Sequence, residues 1–132
     1  MIYLDHNATT PLDPRVFARM RPWFEQHVGN AASAHAAGLR ARAAVEEARA
    51  AVARALGAEA REIVWTSGAT EANNLALLGA ARAPAYAGKR HLVTVVSEHR
   101  SVLDPLFALE REGFTLTRLP VDCTGLVDLE RL

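Results

Sequence analysis

The sequence predicts an α/β fold with a parallel sheet, because three apolar strand segments alternate with two helical segments in its second half. The segment from Leu92 to Val96 is almost continuously apolar, which is typical of a strand covered on both faces. The first half contains no such segment and is predicted to form two helices. Hydrophobic residues make up 50% of the chain, which is ordinary for a globular protein.

The first helix follows an irregular stretch over residues 1–13. Asp13 is a favourable N-cap and Pro14 suits the first helical position. The helix is therefore predicted to run from Pro14 towards His27. Pro22 lies inside this span and is expected to kink or divide the helix.

The second helix is longer and follows a loop over residues 29–33. It is predicted to begin at Ser33 or Ala36 and to end at Leu56, because Gly57 is a typical C-terminal cap. Its apolar side chains recur at spacings of three and four and form one stripe. They are small, so a packing partner can approach closely.

The second half is predicted to read strand, helix, strand, helix, strand. We expect one partial domain over residues 1–132, with an N-terminal arm and helices over 1–60 and an αβ portion over 61–132. The last residues, 125–132, indicate a turn and the start of a helix. The predicted strands are residues 62–65, 91–96 and 114–119, and the predicted helices between them are residues 70–82 and 100–112.

The composition narrows the class of protein. The formal net charge is zero, so it does not favour nucleic acid or an anionic membrane as a partner. The single cysteine excludes an internal disulfide, and no Cys and His spacing is typical of a zinc site. There is no secretory signal and no apolar run that could span a bilayer, so a cytoplasmic location is predicted.

A turn of small residues separates the first predicted strand from the helix after it. Gly68 allows the backbone to approach a ligand closely, and Ala69 and Thr70 offer backbone N–H groups and one hydroxyl. The first N–H groups of a helix lack partners and lie at the positive end of its dipole, so a phosphate would be held here. The alternative is that Ser67 or Thr70 only caps the helix, and local physics favours neither interpretation.

His99 follows the second predicted strand at its C-terminal end, where ligands of open α/β sheets gather. Its imidazole suits an acid, a base or a stacking partner. Taken alone, a surface histidine that caps the next helix is the commoner arrangement. Lys89 precedes the same strand at its other end and is predicted to be solvated. Cys123 lies in a turn and is predicted to be an incidental thiol.

Four segments, in order along the chain, are similar to motifs of one family. Together they resemble the cysteine desulfurases, a branch of the class V aminotransferases that use pyridoxal 5'-phosphate (PLP). Four ordered motifs are far more specific than any one of them. The resemblance extends from Tyr3 to Leu132. The segments are residues 3–11 (YLDHNATTP), 29–38 (GNAASAHAAG), 66–76 (TSGATEANNLA) and 98–103 (EHRSVL).

This resemblance implies the N-terminal part of the large domain of PLP-dependent transferases of fold type I. It implies that Ala69 and Thr70 hold the PLP phosphate, and that His99 stacks on the pyridine ring and takes part in proton transfers. Asn7 and Ala8 would border the substrate site. The family converts L-cysteine to L-alanine and leaves the sulfur as a persulfide on an enzyme cysteine, in reactions that supply sulfur to iron-sulfur clusters and other acceptors.

The chain also departs from the family pattern. The second motif usually reads Asn-Pro-Ser-Ser, whereas this chain has Asn-Ala-Ala-Ser at residues 30–33. The resemblance covers only the front part of the family's length. The Schiff-base lysine, the aspartate that pairs with the pyridine nitrogen, the persulfide cysteine and the carboxylate-binding arginine belong to the other part. Lys89 and Cys123 do not match those positions.

Three functions remain open from the sequence. The first is an N-terminal fragment of a desulfurase that is inactive alone, because without the lysine it cannot bind PLP covalently. The second is half of a split enzyme, and the third is a binding or interaction module without catalysis. A selenocysteine lyase or another class V aminotransferase is the alternative within the enzyme class. Unpaired strand edges predict a homo-oligomer or association with a chain that carries the missing half.

Overall fold

The computed structural model describes residues 2–132 and divides into two compact units, one up to Val64 and one from Trp65 to Leu132. The first unit is helical, and the second contains the sheet. No helix among residues 2–132 combines the length and the apolarity that crossing a membrane requires.

The first helix, α1, spans Pro14–Glu25. It begins as predicted, because the Asp13 carboxylate accepts a hydrogen bond from the Arg15 N–H at 2.8 Å. The helix continues through Pro22, so the prediction that this proline divides it is wrong. It ends before His27, whose N–H donates to the carbonyl oxygen of Pro22 at 2.8 Å.

The second helix, α2, spans Ala36–Leu56. At its start the Nδ1 atom of His35 accepts a hydrogen bond from the Gly38 N–H at 3.3 Å. At its end Gly57 adopts the left-handed conformation with φ of 67°, which a glycine reaches without steric cost. The predicted end of this helix is confirmed, and Ala36 is confirmed over Ser33 as its start.

The loop before α2 packs closely against the first turn of that helix. Gly38 lies beside the carbonyl oxygens of Asn30 and Ser33, where a side chain would meet both. Arg42, one turn further on, donates from Nε to the carbonyl oxygen of Ala31 at 2.9 Å. The helix therefore fixes the conformation of the loop.

Residues 62–65 do not form the predicted strand. Ala60–Glu62 is instead a 3₁₀ turn, in which the Glu59 N–H donates to the Glu62 carboxylate at 2.7 Å. The Arg49 guanidinium donates to the carbonyl oxygen of Ile63. A strand needs a neighbour for its N–H and C=O groups, and within residues 2–132 this segment pairs with no strand. The apolar run is therefore extended backbone without a sheet.

The second unit contains two parallel strands and two helices, which confirms the α/β class. The helix α3, Ala69–Arg82, comes first. The strand β1, His91–Val95, then leads through α4, Arg100–Arg111, to the strand β2, Thr115–Leu119. In the parallel register, His91 lies opposite Thr115 and Val95 lies opposite Leu119.

The core of this unit lies between the two helices and one face of the strands. Its buried centre is Leu106, Leu109 and Phe114. Side chains from all four elements surround this centre, so the helices and the strands pack as one unit. These partly buried residues are Leu77, Leu78, Ala81, Leu92, Val102 and Leu116.

The other face of the two-stranded sheet is open. On this face of β1, Val93 is 46% exposed and His91 is exposed as well. The prediction that this strand is covered on both faces is therefore wrong for residues 2–132. After β2, Val121 and Val127 form an isolated antiparallel bridge, and the predicted C-terminal helix is only a 3₁₀ turn at Leu129–Arg131.

Candidate functional site

The loop before α3 is held by Glu71, which lies in the first turn of that helix. Both the N–H and the hydroxyl of Ser67 donate to one carboxylate oxygen of Glu71, each at 2.7 Å. The Thr66 hydroxyl donates to the carbonyl oxygen of Gly68 at 3.3 Å. The hydroxyls of Thr66 and Ser67 and the Ser67 N–H are therefore already used within the loop.

The donors that stay available are those of the first helical turn. Among residues 2–132, the N–H groups of Ala69 and Thr70 and the Thr70 hydroxyl have no hydrogen-bond acceptor, since the helical bonds begin with Ala72 N–H to Gly68 O at 3.1 Å. No side chain caps this end of the helix. The alternative that Ser67 or Thr70 only caps α3 is therefore wrong.

Gly68 has room beside it. A Cβ atom at this position would meet no atom within 4 Å, and its φ of 163° is extended backbone that any residue adopts. Neither backbone strain nor packing within the described chain thus requires a glycine here. The donors of Ala69 and Thr70, the positive end of the helix dipole and this open space together fit a phosphate group.

The two hydrogen bonds between Ser67 and the Glu71 carboxylate depend on pH. The Ser67 N–H, and next its hydroxyl, lower the pKa of this carboxyl below the ordinary glutamate value. Because the folded-state pKa is lowered, the two hydrogen bonds are complete above the ordinary glutamate pKa and are lost as the pH falls through the lowered pKa.

We expect the Ser67 amide signal in ¹H–¹⁵N NMR spectra to titrate with a midpoint below the ordinary glutamate pKa, because its acceptor loses its charge there. The matched variant is Glu71→Gln, which keeps an acceptor oxygen but cannot ionise, so the titration of the Ser67 amide should disappear. A midpoint at or above the ordinary value would contradict the bonding of this loop.

His99 caps α4. Its Nδ1 atom accepts a hydrogen bond from the Ser101 N–H at 3.1 Å and lies 2.9 Å from the Ser101 hydroxyl. The same hydroxyl accepts a hydrogen bond from the Asn73 side-chain nitrogen on α3 at 2.9 Å. Capping and a functional role are thus not exclusive, because the cap uses only Nδ1. Within residues 2–132, Nε2 of His99 contacts no hydrogen-bond partner.

The predicted site residues fall in both units. Ala69, Thr70 and His99 belong to the second unit. Asn7 and Ala8 belong to the first, in an exposed turn where the Ala8 N–H donates to the carbonyl oxygen of Asp5 at 3.1 Å. The second unit links the helix that begins at Ala69 to the His99 cap through Asn73 and Ser101.

Lys89 and Cys123 lie where the sequence places them. Lys89 precedes β1, at the end of the strand opposite to His99, and its Nζ lies 5.6 Å from the centroid of the Tyr86 ring. Cys123 is an exposed free thiol in the turn after β2. No group of three or more His, Cys, Asp or Glu side chains in residues 2–132 is arranged to bind a metal ion.

Sequence reasoning missed the roles of Glu71, Asn73 and Ser101. Glu71 could have been found, because a glutamate in the first turn of a helix often bonds back to the residues before it. Asn73 and Ser101 are 28 residues apart, and only the packing of α3 on α4 brings them together. In the sequence, the one signal for this contact is a polar residue, Ser101, on the face of α4 that is buried.

Comparison with known proteins places these features in a family. The model of the family described as Aminotransferase class-V matches residues 2–132. A cysteine desulfurase IscS of Anaeromyxobacter sp. (strain Fw109-5) is 56% identical over 132 residues, which are 99% of this chain and 32% of that protein. The chain therefore spans about a third of the length of the curated relatives it matches.

Two solved structures are similar as well. One, titled NifS-like protein, has a TM-score of 0.85 at 39% identity. The match covers 98% of this chain and 35% of the NifS-like chain. The other, titled SspA in complex with cysteine, has a TM-score of 0.83 at 38% identity. That match covers 98% of this chain and 37% of the SspA chain. The fold is thus the N-terminal part of the large domain of PLP-dependent transferases of fold type I. The chain belongs to the aminotransferase class-V family.

Proposed function

We propose that this chain supplies the phosphate and ring contacts of the PLP site in a cysteine desulfurase, which converts L-cysteine to L-alanine and keeps the sulfur as a persulfide. The observation that carries the proposal is the set of available donors at Ala69 and Thr70, in the unit that also holds His99. Two facts support it: the relatives are named cysteine desulfurases, and one similar structure was solved with cysteine.

Each residue has a stated part in this proposal. The N–H groups of Ala69 and Thr70 and the Thr70 hydroxyl bind the phosphate. His99 stacks on the pyridine ring and exchanges protons at Nε2, since its Nδ1 is engaged by Ser101. Asn7 and Ala8 border the cysteine substrate. When bound, PLP supplies the electron sink of the reaction, and the protein supplies binding and orientation.

The same proposal assigns no chemistry to Lys89 or Cys123. Lys89 is the only lysine of the chain, and it lies at the end of β1 opposite to His99. The covalent attachment of PLP and the persulfide therefore need residues that come from outside residues 1–132. We infer that this chain alone does not convert cysteine.

The activity can be tested with a chimera. This chain would replace the matched third of the Anaeromyxobacter desulfurase, and alanine formation from cysteine would be measured for the chimera and for the chain alone with added PLP. We expect turnover by the chimera and none by the chain above a PLP blank. A folded chimera that holds PLP but forms no alanine would refute the proposed reaction. Turnover by the chain alone would refute the need for outside residues.

Thr70→Val tests the phosphate contact in the same chimera. The change removes the hydroxyl at nearly constant shape, so we expect PLP to bind about 10- to 100-fold more weakly, as for a lost hydrogen bond to a charged group. The matched control is Thr115→Val, at an exposed position of β2, which should leave PLP binding unchanged. Pyridoxal, which lacks the phosphate, should bind both variants like the parent, and an equal loss for pyridoxal would argue against a phosphate contact.

The partners follow from the same proposal. The open face of the sheet around Val93 supports a homo-oligomer or a complex with a chain that carries the missing half. The zero net charge gives no electrostatic reason for a nucleic-acid or anionic-membrane partner, and we propose a cytoplasmic protein without either. Native mass spectrometry over a range of concentrations tests the association, and a monomer at every concentration would count against a homo-oligomer.

A further inference from the structure

A chain of hydrogen bonds joins the helix α3, which begins at Ala69, to His99. The amide nitrogen of Asn73, in the second turn of α3, lies 2.9 Å from the Ser101 hydroxyl, which lies 2.9 Å from Nδ1 of His99. Ser101 is only 7% exposed, and it is the one buried polar side chain among the described residues. A buried hydroxyl with two partners is well suited to transmit the direction of a hydrogen bond.

The direction of these bonds follows from their donors. The backbone N–H of Ser101 can only donate, so Nδ1 of His99 must present its lone pair. The Asn73 nitrogen also donates, so the Ser101 oxygen accepts and its own proton is left for Nδ1. The proton of the neutral ring therefore sits on Nε2, the nitrogen that has no partner within residues 2–132.

We propose that Asn73 and Ser101 are positioning residues that hold His99 in the Nε2–H tautomer and fix the orientation of its ring. Ser101 supplies two donors to one nitrogen, and Asn73 sets the direction in which the Ser101 hydroxyl points. The ring then presents a hydrogen-bond donor, and not an acceptor, at its available end. The use of this donor towards a cofactor rests on the proposed function, whereas the tautomer itself does not.

The proposal can be tested by reversing the direction of the hydrogen bond between Asn73 and Ser101. A purely structural role of Asn73 in packing would not change the tautomer of His99. In Asn73→Asp the carboxylate can only accept, so the Ser101 hydroxyl must turn its proton towards position 73 and away from Nδ1. The shape of the side chain is almost unchanged. We expect the ratio of the Nδ1–H to the Nε2–H tautomer of His99 to rise about two- to tenfold, as for the loss of one neutral hydrogen bond.

The readout is the pair of ¹⁵N shifts of the imidazole ring in the histidine-labelled 132-residue chain, without PLP. His99→Gln identifies the signals of this ring among the five histidines. The matched control is Asn74→Asp, which adds the same charge one residue along. Within residues 2–132, the Asn74 side chain bonds only to the carbonyl oxygen of Thr70, at 2.9 Å. This variant should leave the tautomer ratio of His99 unchanged.

A second pair of variants keeps the test decisive if Asn73→Asp does not fold. Ser101→Ala removes the hydroxyl and should raise the same ratio, and Ser101→Thr retains a hydroxyl and should restore the parent value. An unchanged ratio in a folded Asn73→Asp or Ser101→Ala variant would overturn the proposal, as would an equal change in Asn74→Asp. Because no PLP is present, such a failure is separate from a failure of the desulfurase assignment, which the chimera tests.

Discussion

Leu109→Ala is expected to lower the free energy of unfolding of the second unit by about 2–5 kcal/mol, the range found for large-to-small changes in a packed core. Leu109 is fully buried on α4 and packs with Leu106 and Phe114 at the centre of that unit. The truncated side chain leaves a cavity that the two helices and the two strands would have to collapse to fill. A small domain is stable by only about 5–15 kcal/mol in all, so this one change removes a large share.

Urea unfolding followed by far-ultraviolet circular dichroism measures this loss. The matched control is Leu75→Ala on α3, where the leucine is 54% exposed. Such a surface change should stay within about 0.5 kcal/mol of the parent. Equal destabilisation by the two variants would mean that the core does not lie between the helices and the strands.

Gly38→Ala is expected to destabilise the first unit by about 1–3 kcal/mol, as for overpacking of a tight contact. A Cβ atom at this position would lie 2.3 Å from the carbonyl oxygen of Ser33 and 2.7 Å from that of Asn30. Both neighbours are backbone atoms, so a rotamer change cannot relieve the clash. The first turn of α2 and the loop over residues 29–33 would have to separate.

The matched control for Gly38→Ala is Gly79→Ala within α3. A Cβ atom there would meet no atom within 4 Å, so the usual gain of about 0.5–1 kcal/mol for alanine over glycine in a helix is expected. The two substitutions thus have opposite expected signs in the same unfolding experiment. A stabilising Gly38→Ala would show that the loop does not pack on α2 as described.

The parts of the fold that depend on local signals could be predicted from the sequence. Asp13 caps the start of α1 and Gly57 caps the end of α2. Both could be predicted, because capping involves only neighbouring residues. The segment over residues 62–65 has the composition of a strand, but it is extended without a sheet. A strand depends on a partner that is distant in sequence, and composition does not report whether that partner is present.

The candidate site divides in the same way. The roles proposed for Ala69, Thr70 and His99 came from motifs in the sequence, and they stay proposals. The bonds between Asn73, Ser101 and His99 could not be predicted, since they depend on how α3 packs against α4. Short patterns report which donors a turn offers, whereas only tertiary packing decides which of them are already used.

The Glu71 carboxylate that binds the Ser67 N–H and hydroxyl also bears on affinity. A loop that must order itself around a ligand loses conformational entropy at the moment of binding, and this loss weakens the complex. Here the ordering is done during folding, by a side chain of the same helix. The donors of Ala69 and Thr70 are therefore preorganised, so binding of an anion there does not cost the conformational entropy of ordering this loop.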